Sequence, residues 1–484
     1  MNTALQSKKP PYMMIVILFV GAFVSFLNNS LLNVALPSIM VDLKIDNYST
    51  VQWLATGYML VSGVLIPASA FLITRFSNRS LFITSMLIFT LGTAMAAFAP
   101  NFAVLLSGRM VQAAGASVMG PLLMNVMLIS FPREKRGTAM GIFGLVMITA
   151  PAIGPTLSGY IVEYFDWRIL FMMILPLAVL SLLLSVWKLE NVMETDKTAT
   201  IDYLSVVLST LGFGGLLYGV SSASSDGWTD PVILTTLIVG GIALIAFIVR
   251  QLKMEKPLLD LRAYKYPMFA LASVIAIVNA VAMFSGMILT PAYVQNVRGI
   301  SPLDSGLMML PGAIIMGIMS PITGKLFDKF GPRALALTGL VITGISTYLL
   351  SELQIDSSYP YIILIYTLRM FGMSMVMMPI ITNGLNQLPT RLNPHGTAIN
   401  NTAQQVSGSI GTAVLVTIMN SVTKTEAESM MTGIDPTTVT EQSMALLGQQ
   451  ALLSGIQYSF LVTLGINIVA IVLALFLKRV DVSS

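Results

Sequence analysis

Apolar runs of membrane-spanning length follow one another along the whole chain, separated by short polar stretches. A hydrocarbon core about 30 Å thick takes roughly 20 apolar residues of helix. That rule predicts fourteen spans, at 12–38, 51–73, 80–98, 102–130, 138–162, 168–187, 203–222, 231–249, 268–294, 304–323, 334–352, 360–383, 396–421 and 452–477. The first run is longer than the core of a signal peptide and has no clear small-residue cleavage site before the next segment, so it counts as a span.

Composition turns the pattern into an exclusion. The 484 residues are 55% hydrophobic and 10% charged, and the mean hydropathy is +0.82. A soluble domain carries about 25% charged residues, so this chain cannot cover a globular surface and reads as an all-α integral membrane protein. A net charge of +4 does not point to nucleic acid, because the basic residues sit in short clusters between spans. With no Cys and one His, His395, disulfides, thiol catalysis, iron–sulfur clusters and multi-histidine metal sites are excluded. No metal, cofactor or nucleophile–base pair is expected, so a membrane enzyme or passive scaffold is the weakest reading. The glycines of the seventh span, Gly212, Gly214, Gly215 and Gly219, follow no strand and read as helix packing rather than a nucleotide loop. No Walker lysine loop is present to use ATP.

Charge also orients the chain. Twenty of the 26 basic residues fall on one face, from Lys8 and Lys9 to Lys478 and Arg479. Lys44, Arg168, Arg298 and Lys424 fall on the other, and Arg109 and Arg369 lie inside spans. Cytoplasmic loops are enriched in Lys and Arg, so both termini are expected in the cytoplasm, and the even span count agrees.

The chain repeats itself. Arg136-Gly137-Thr138-Ala139-Met140 recurs as His395-Gly396-Thr397-Ala398-Ile399 at an offset of 259, and Arg109-Met110 recurs as Arg369-Met370 at an offset of 260. Thr74 to Arg79 matches Asp328 to Arg333 at an offset of 254. We therefore expect a six-helix bundle in 1–190, an inserted pair of helices with flanking linkers in 191–266, and a second six-helix bundle in 267–484. Two such halves around a midplane cavity are what alternating access requires. The polar segment 423–450 reads either as a lid over the outer mouth or as a linker.

Candidate chemistry is sparse. Arg109 lies inside the fourth span, with Gln112 on the same helix face; a charge at that depth costs at least about 2.5–3.5 kcal/mol. It either fixes packing or works in transport. Gly154, Pro155 and Gly159, with Pro151, make the fifth span either a static packing element or a hinge. Asn28, Asn29 and Asn33 in the first span and Asn400, Asn401, Gln404 and Gln405 in the thirteenth are neutral hydrogen-bonders, facing a cavity or another helix. With Arg369 and Tyr293, all of these but Gln405 form the candidate substrate set. Of the carboxylates, Glu163 and Asp304 come nearest the membrane interior, as proton carriers, as helix caps or as partners of Arg168. Methionines such as Met308, Met309, Met377 and Met378 suggest an adaptable apolar lining.

These features together resemble the fourteen-helix drug:proton antiporters of the major facilitator superfamily, the bacterial multidrug efflux type, over nearly the whole chain. Leu27-Asn28-Asn29-Ser30 through Pro37 is similar to the family's first-span motif. Gln52-Trp53 through Tyr58 and Pro67 is similar to its second, which adds Trp53 and Tyr58 to the candidate substrate residues. Arg109, Gln112 and Gly115 match its fourth-span motif. Ala150-Pro151-Ala152-Ile153-Gly154-Pro155 through Gly159 matches its antiporter motif, and Trp167-Arg168 with Phe171 and Pro176 resembles its sixth-span start. The resemblance implies a monomeric, multi-pass cell-membrane exporter of amphipathic drugs or toxic compounds, driven by protons and conferring antibiotic resistance. It implies proton coupling by Arg109. Departures are informative. Asn28 stands where the family usually has Asp, and it carries no titratable proton. Ala70, Thr74 and Ser77 stand where the family has Gly, Asp and Gly, whereas the second copy (Gly324, Asp328, Gly331, Arg333) is intact. The gate is therefore expected to depend on Asp328, capping the eleventh span and pairing with a nearby Lys or Arg. Without midplane carboxylates, a cargo of anionic or neutral lipids, fatty acids or metabolites is the alternative.

Overall fold

A computed structural model describes residues 12–45, 48–193, 195–198, 200–432 and 441–479. Among the described residues, fourteen helical stretches are long and apolar enough to cross a membrane. They are built from α1 (Tyr12–Asp42), α2 (Tyr48–Arg75), α3 (Asn78–Ala97), α4 (Phe102–Ser130), α5 (Arg136–Tyr164), α6 (Arg168–Lys188), α7 (Tyr203–Asp226), α8 (Pro231–Lys253), α9 (Pro267–Ala292), α10 (Pro302–Phe330), α11 (Pro332–Ser351), α12 (Tyr359–Ser374), α13 (Met377–Gln387), α14 (Asn393–Met431) and α15 (Glu441–Ala474). We call the side with the clustered Lys and Arg residues the basic face.

Two bundles with matching internal packing result. In the first, α3 packs on α4 and α6, α1 on α5 and α6, and α2 on α4. In the second, α11 packs on α12 and α15, α9 on α14 and α15, and α10 on α12. The bundles meet along two seams, α5 against α10 and α2 against α14. The inserted hairpin is placed unevenly. Its helix α7 touches α2 of one bundle and α14 of the other, while α8 packs on α7 at the periphery.

Local chemistry explains the helix ends. Ser77, Asn101, Asp202 and Asp230 cap α3, α4, α7 and α8 with their side-chain oxygens, supplying acceptors for N–H groups that have no helical partner. Gly331 stops α10 with φ +79, and Pro332 opens α11.

Two features depart from the sequence expectation. The twelfth span is not one helix but α12 and α13, broken at Met375 and Val376. Pro379 has no N–H for the Met375 carbonyl and its ring crowds that turn. The polar stretch expected from 423 is helical at both ends: α14 continues to Met431 and α15 starts at Glu441. Thr423, Thr425 and Thr432 donate their hydroxyls to carbonyls four residues back, and Lys424 meets Glu428 at 3.9 Å one turn on. Residues 433–440 lie outside the described residues.

Candidate functional site

Two buried arginines sit at equivalent depths of the two bundles. Arg109 is fully buried. Its guanidinium donates to Gln112 Oε1 at 3.0 Å and, more weakly, to the Leu54 carbonyl at 3.5 Å, and lies 4.3 Å above the Tyr58 ring. Gln112 passes the chain on, donating to Thr93 Oγ1 at 2.9 Å and to Asn28 Oδ1 at 3.4 Å. Asn28, Tyr58, Arg109 and Gln112 are thus one cluster joining α1, α2 and α4, with Thr93 of α3 at its edge.

Arg369 of α12 makes the matching centre. It is fully buried and donates to the Ala282 carbonyl and to Ser285 Oγ (3.1 Å) of α9, and to Thr347 Oγ1 (3.4 Å) of α11. Thr347 follows Thr93 by 254 residues, the offset separating Thr74 from Asp328. The sequence reading missed both threonines, and the repeat offset was the signal that identifies them. Gly286 gives the guanidinium its room, since a Cβ there would collide with it. Among the described residues, neither arginine has a carboxylate within 4 Å. No Asp or Glu is among the buried polar residues described.

The α5–α10 seam runs the depth of the bundle. At the basic face Asp328 accepts from the backbone N–H of Gly137 and of Thr138, both at 2.9 Å, and from the Thr138 hydroxyl at 2.7 Å. Asp328 therefore caps α5 of the other bundle, not α11, whose start has no side-chain cap; Arg479 reaches only its backbone carbonyl, at 2.8 Å. Beside it Arg136 donates to Asn386 Oδ1 at 3.1 Å. Glycines allow the approach: a Cβ on Gly137 would meet the Gly324 carbonyl at 2.6 Å, and one on Gly141 the Ser320 carbonyl at 2.5 Å. Met378 lies against Gly144 farther in. At the opposite face, Gly159 approaches Leu303. Gly154 packs on Ser30 of α1, whose hydroxyl bonds the Leu27 carbonyl at 2.9 Å and the Ala150 carbonyl at 3.4 Å. Pro155 is half-buried in the same turn, and Arg333 is exposed at the start of α11.

The remaining candidates separate. Asn400 is buried within the second bundle, accepting from Ser273 of α9 at 3.3 Å. Asn401 donates to the Thr397 carbonyl at 2.8 Å and faces Gly120 of α4, beside Phe26 of α1. Asn29, nearly one turn beyond Phe26, is exposed, and Gln404 is half-buried one turn beyond Asn401. The Asn33 side chain lies outside the described residues. Trp53 packs its ring, tilted by 31°, on Tyr218 of the inserted hairpin, with ring centroids 5.6 Å apart. Tyr293 is fully buried in a π-helical turn after α9 and donates to the Gln354 carbonyl at 2.5 Å, so it serves packing at the opposite face.

The two carboxylates expected nearest the interior are both exposed at that face. Asp304 pairs with Ser301 in a capping exchange, with bonds of 2.8 and 3.1 Å. The acids that do meet Arg168 are Asp42, at 2.8 Å, and Asp166, at 3.4 Å. Asp42 also accepts from Trp167 at 3.1 Å. Arg168, then Trp167, hold its carboxyl below the ordinary range.

A sequence profile of the Major Facilitator Superfamily matches residues 18–412. The Bacillus subtilis (strain 168) protein YhcA, named an uncharacterized MFS-type transporter, is 52% identical over 413 residues, 85% of this chain and 77% of its own. Lincomycin resistance protein LmrB of the same organism is 43% identical over 484 residues, 99% of each chain. Among solved structures, the human organic anion transporter MFSD10 (TETRAN) has the same fold, with a TM-score of 0.64 at 12% identity, covering 95% of this chain and 100% of its own.

Proposed function

The chain belongs to the major facilitator superfamily, and from that premise we propose that it exports amphipathic drugs or other toxic compounds from the cell by alternating access, in exchange for protons. The observation that carries the reading is the α5–α10 seam. Its closure at the basic face rests on polar bonds, three to the Asp328 carboxylate and one from Arg136 to Asn386. Such bonds are re-made with water when the helices part, so this end opens and closes at modest cost. The positive-inside rule supports the basic face as cytoplasmic, and the described conformation is then the one closed toward the cytoplasm. The name of LmrB, similar along its full length, makes lincomycin the first cargo to test and favours drugs over lipids or fatty acids.

Arg109 and Gln112 are placed to couple the first bundle internally, because their bonds tie α1, α2, α3 and α4 together. With no carboxylate among the described buried residues, the proton is assigned to an acid exposed at the opposite face, Glu163 or Asp304. The test is lincomycin uptake into proteoliposomes or inverted vesicles under an imposed pH gradient. Uptake that follows the gradient, and loses that dependence in Glu163→Gln or Asp304→Asn, is expected. Uptake indifferent to the gradient refutes antiport, and no uptake of any amphipathic drug refutes the cargo class.

A further inference from the structure

Outside both seams, a cavity of about 730 Å³ lies between the inserted hairpin and the second bundle. Its walls include Phe213 and Phe247 of the hairpin, Val281 of α9, Val406 and Ile410 of α14, and Ile466 of α15. It opens sideways: Ile248 and Leu252 on α8 and Ile410 and Val414 on α14 are exposed at its rim. On α14 the lining runs from Ile399 to Leu415, about 24 Å of helix. Its few polar side chains offer little. Ser407 spends its hydroxyl on the Ala403 carbonyl of its own helix, and Thr402 and Tyr264 supply the others. A polyfunctional drug needs several placed polar partners, and this surface lacks them. A long, narrow apolar slot open to the bilayer suits an extended hydrocarbon chain.

The mouth at the basic face adds charge. Leu252 and Tyr264 line it, and the next residue in each case is an exposed lysine, Lys253 and Lys265. Neither has an ion-pair partner among the described residues, whereas the neighbouring Lys256 and Arg262 are engaged with Asp196 and Asp260. We propose that this groove binds one acyl chain of an anionic glycerophospholipid from the leaflet on the basic face, with Lys253 and Lys265 meeting its phosphate. The site spans a joint: α7 touches both bundles, and the groove lies between the hairpin and α9, α14 and α15. A lipid seated there fastens the hairpin to the second bundle. Neither cargo nor driving ion enters this assignment, so it and the transport reading fail separately.

The test uses the full chain in nanodiscs with phosphatidylglycerol carrying a photoreactive acyl chain. Crosslinks are expected to concentrate on residues 399–415, in excess over Ile238, Ile242 and Ile245 on the exposed outer side of α8. Filling the slot with Ile410→Trp, or Val414→Trp should that variant not fold, abolishes the excess and leaves labelling of α8 intact, which also reports folding. Lys253→Gln with Lys265→Gln lowers the preference for phosphatidylglycerol over a zwitterionic analogue by roughly thirtyfold, at about 1 kcal/mol for each charge near the surface. Equal labelling of α14 and α8 means annular lipid only and overturns the proposal. Equal labelling by both headgroups in the unmodified protein overturns it in favour of an unselective apolar cleft.

Discussion

Replacing Asp328 with Asn tests the gate with little change in volume. The carboxylate accepts two backbone N–H bonds and one hydroxyl bond from the start of α5. Hydrogen bonds to a charged group contribute about 1.5–3 kcal/mol each, and a negative charge at a helix N-terminus adds about 0.3–1 kcal/mol. The amide keeps one acceptor, loses the charge, and turns an NH₂ toward a backbone N–H that it cannot satisfy. Because Asp328 is half-buried rather than buried, the low end applies, a net loss of about 2 kcal/mol. All three bonds cross between bundles, so the loss falls on the closed conformation and not on folding. About 2 kcal/mol is roughly a thirtyfold shift toward opening at the basic face. The protein has no Cys, so Lys135→Cys with Lys325→Cys, both exposed, places two spin labels across the seam without background. In Asp328→Asn the distance distribution between them is expected to lengthen and broaden, with unfolding temperature little changed. Thr138→Val, which loses one bond, should give a smaller shift in the same direction. An unchanged distribution in Asp328→Asn refutes the latch.

Gly141→Val pushes a side chain onto the Ser320 carbonyl and should hold the basic face apart, costing the closed form about 1–3 kcal/mol; spin-label distances that still show closure count against this packing. Arg369→Leu removes an interior charge that has no carboxylate partner among the described residues. Transport is expected to drop more than tenfold while stability changes by about 1 kcal/mol or less, because an unpaired buried charge is itself costly; a large drop in unfolding temperature with normal transport reverses the assignment. At the opposite face, the Asp42 carboxyl is held below its ordinary range by Arg168 and Trp167. A depressed carboxylate contributes stability above its unfolded pKa of about 3.9 and loses it as pH falls through the lower folded value. Thermal melts of the native protein should therefore lose more stability than those of Asp42→Asn on going from neutral pH to below about pH 4. The difference should be small because both partners are partly exposed, and parallel curves refute the brace.

The spans were legible because apolar length is a property of local sequence, and no other fold satisfies backbone polar groups in lipid so directly. The Arg109 cluster was half legible. Gln112 follows at helical spacing, but Thr93 and Tyr58 come from other helices, and only the repeat offset points to Thr93. What the sequence could not supply was direction. Asp328 lies four residues before Pro332 and reads as a cap for the next helix, yet Gly331 turns the chain away and leaves the carboxylate facing the other bundle. Glu163 and Asp304 lie close in sequence to apolar runs, and their helices end before carrying them inside. The most useful clue was the mismatch between the repeats. Where the second copy has Gly324 and Asp328, the first has Ala70 and Thr74, and Thr74 spends its hydroxyl on the Ala70 carbonyl at 2.8 Å. Its partner-to-be, Gly396, packs instead on Leu385, Leu388 and Phe269 of its own bundle. Among the described residues the two seams are therefore unequal at the basic face: α5–α10 carries a polar latch and α2–α14 does not. Restoring the lost pair with Ala70→Gly and Thr74→Asp supplies a carboxylate for the start of α14. If the inequality is what lets this end reopen, the double variant should slow export while Asp328→Asn in the same background restores it. Export unaffected by the double variant would mean that opening does not depend on the second seam.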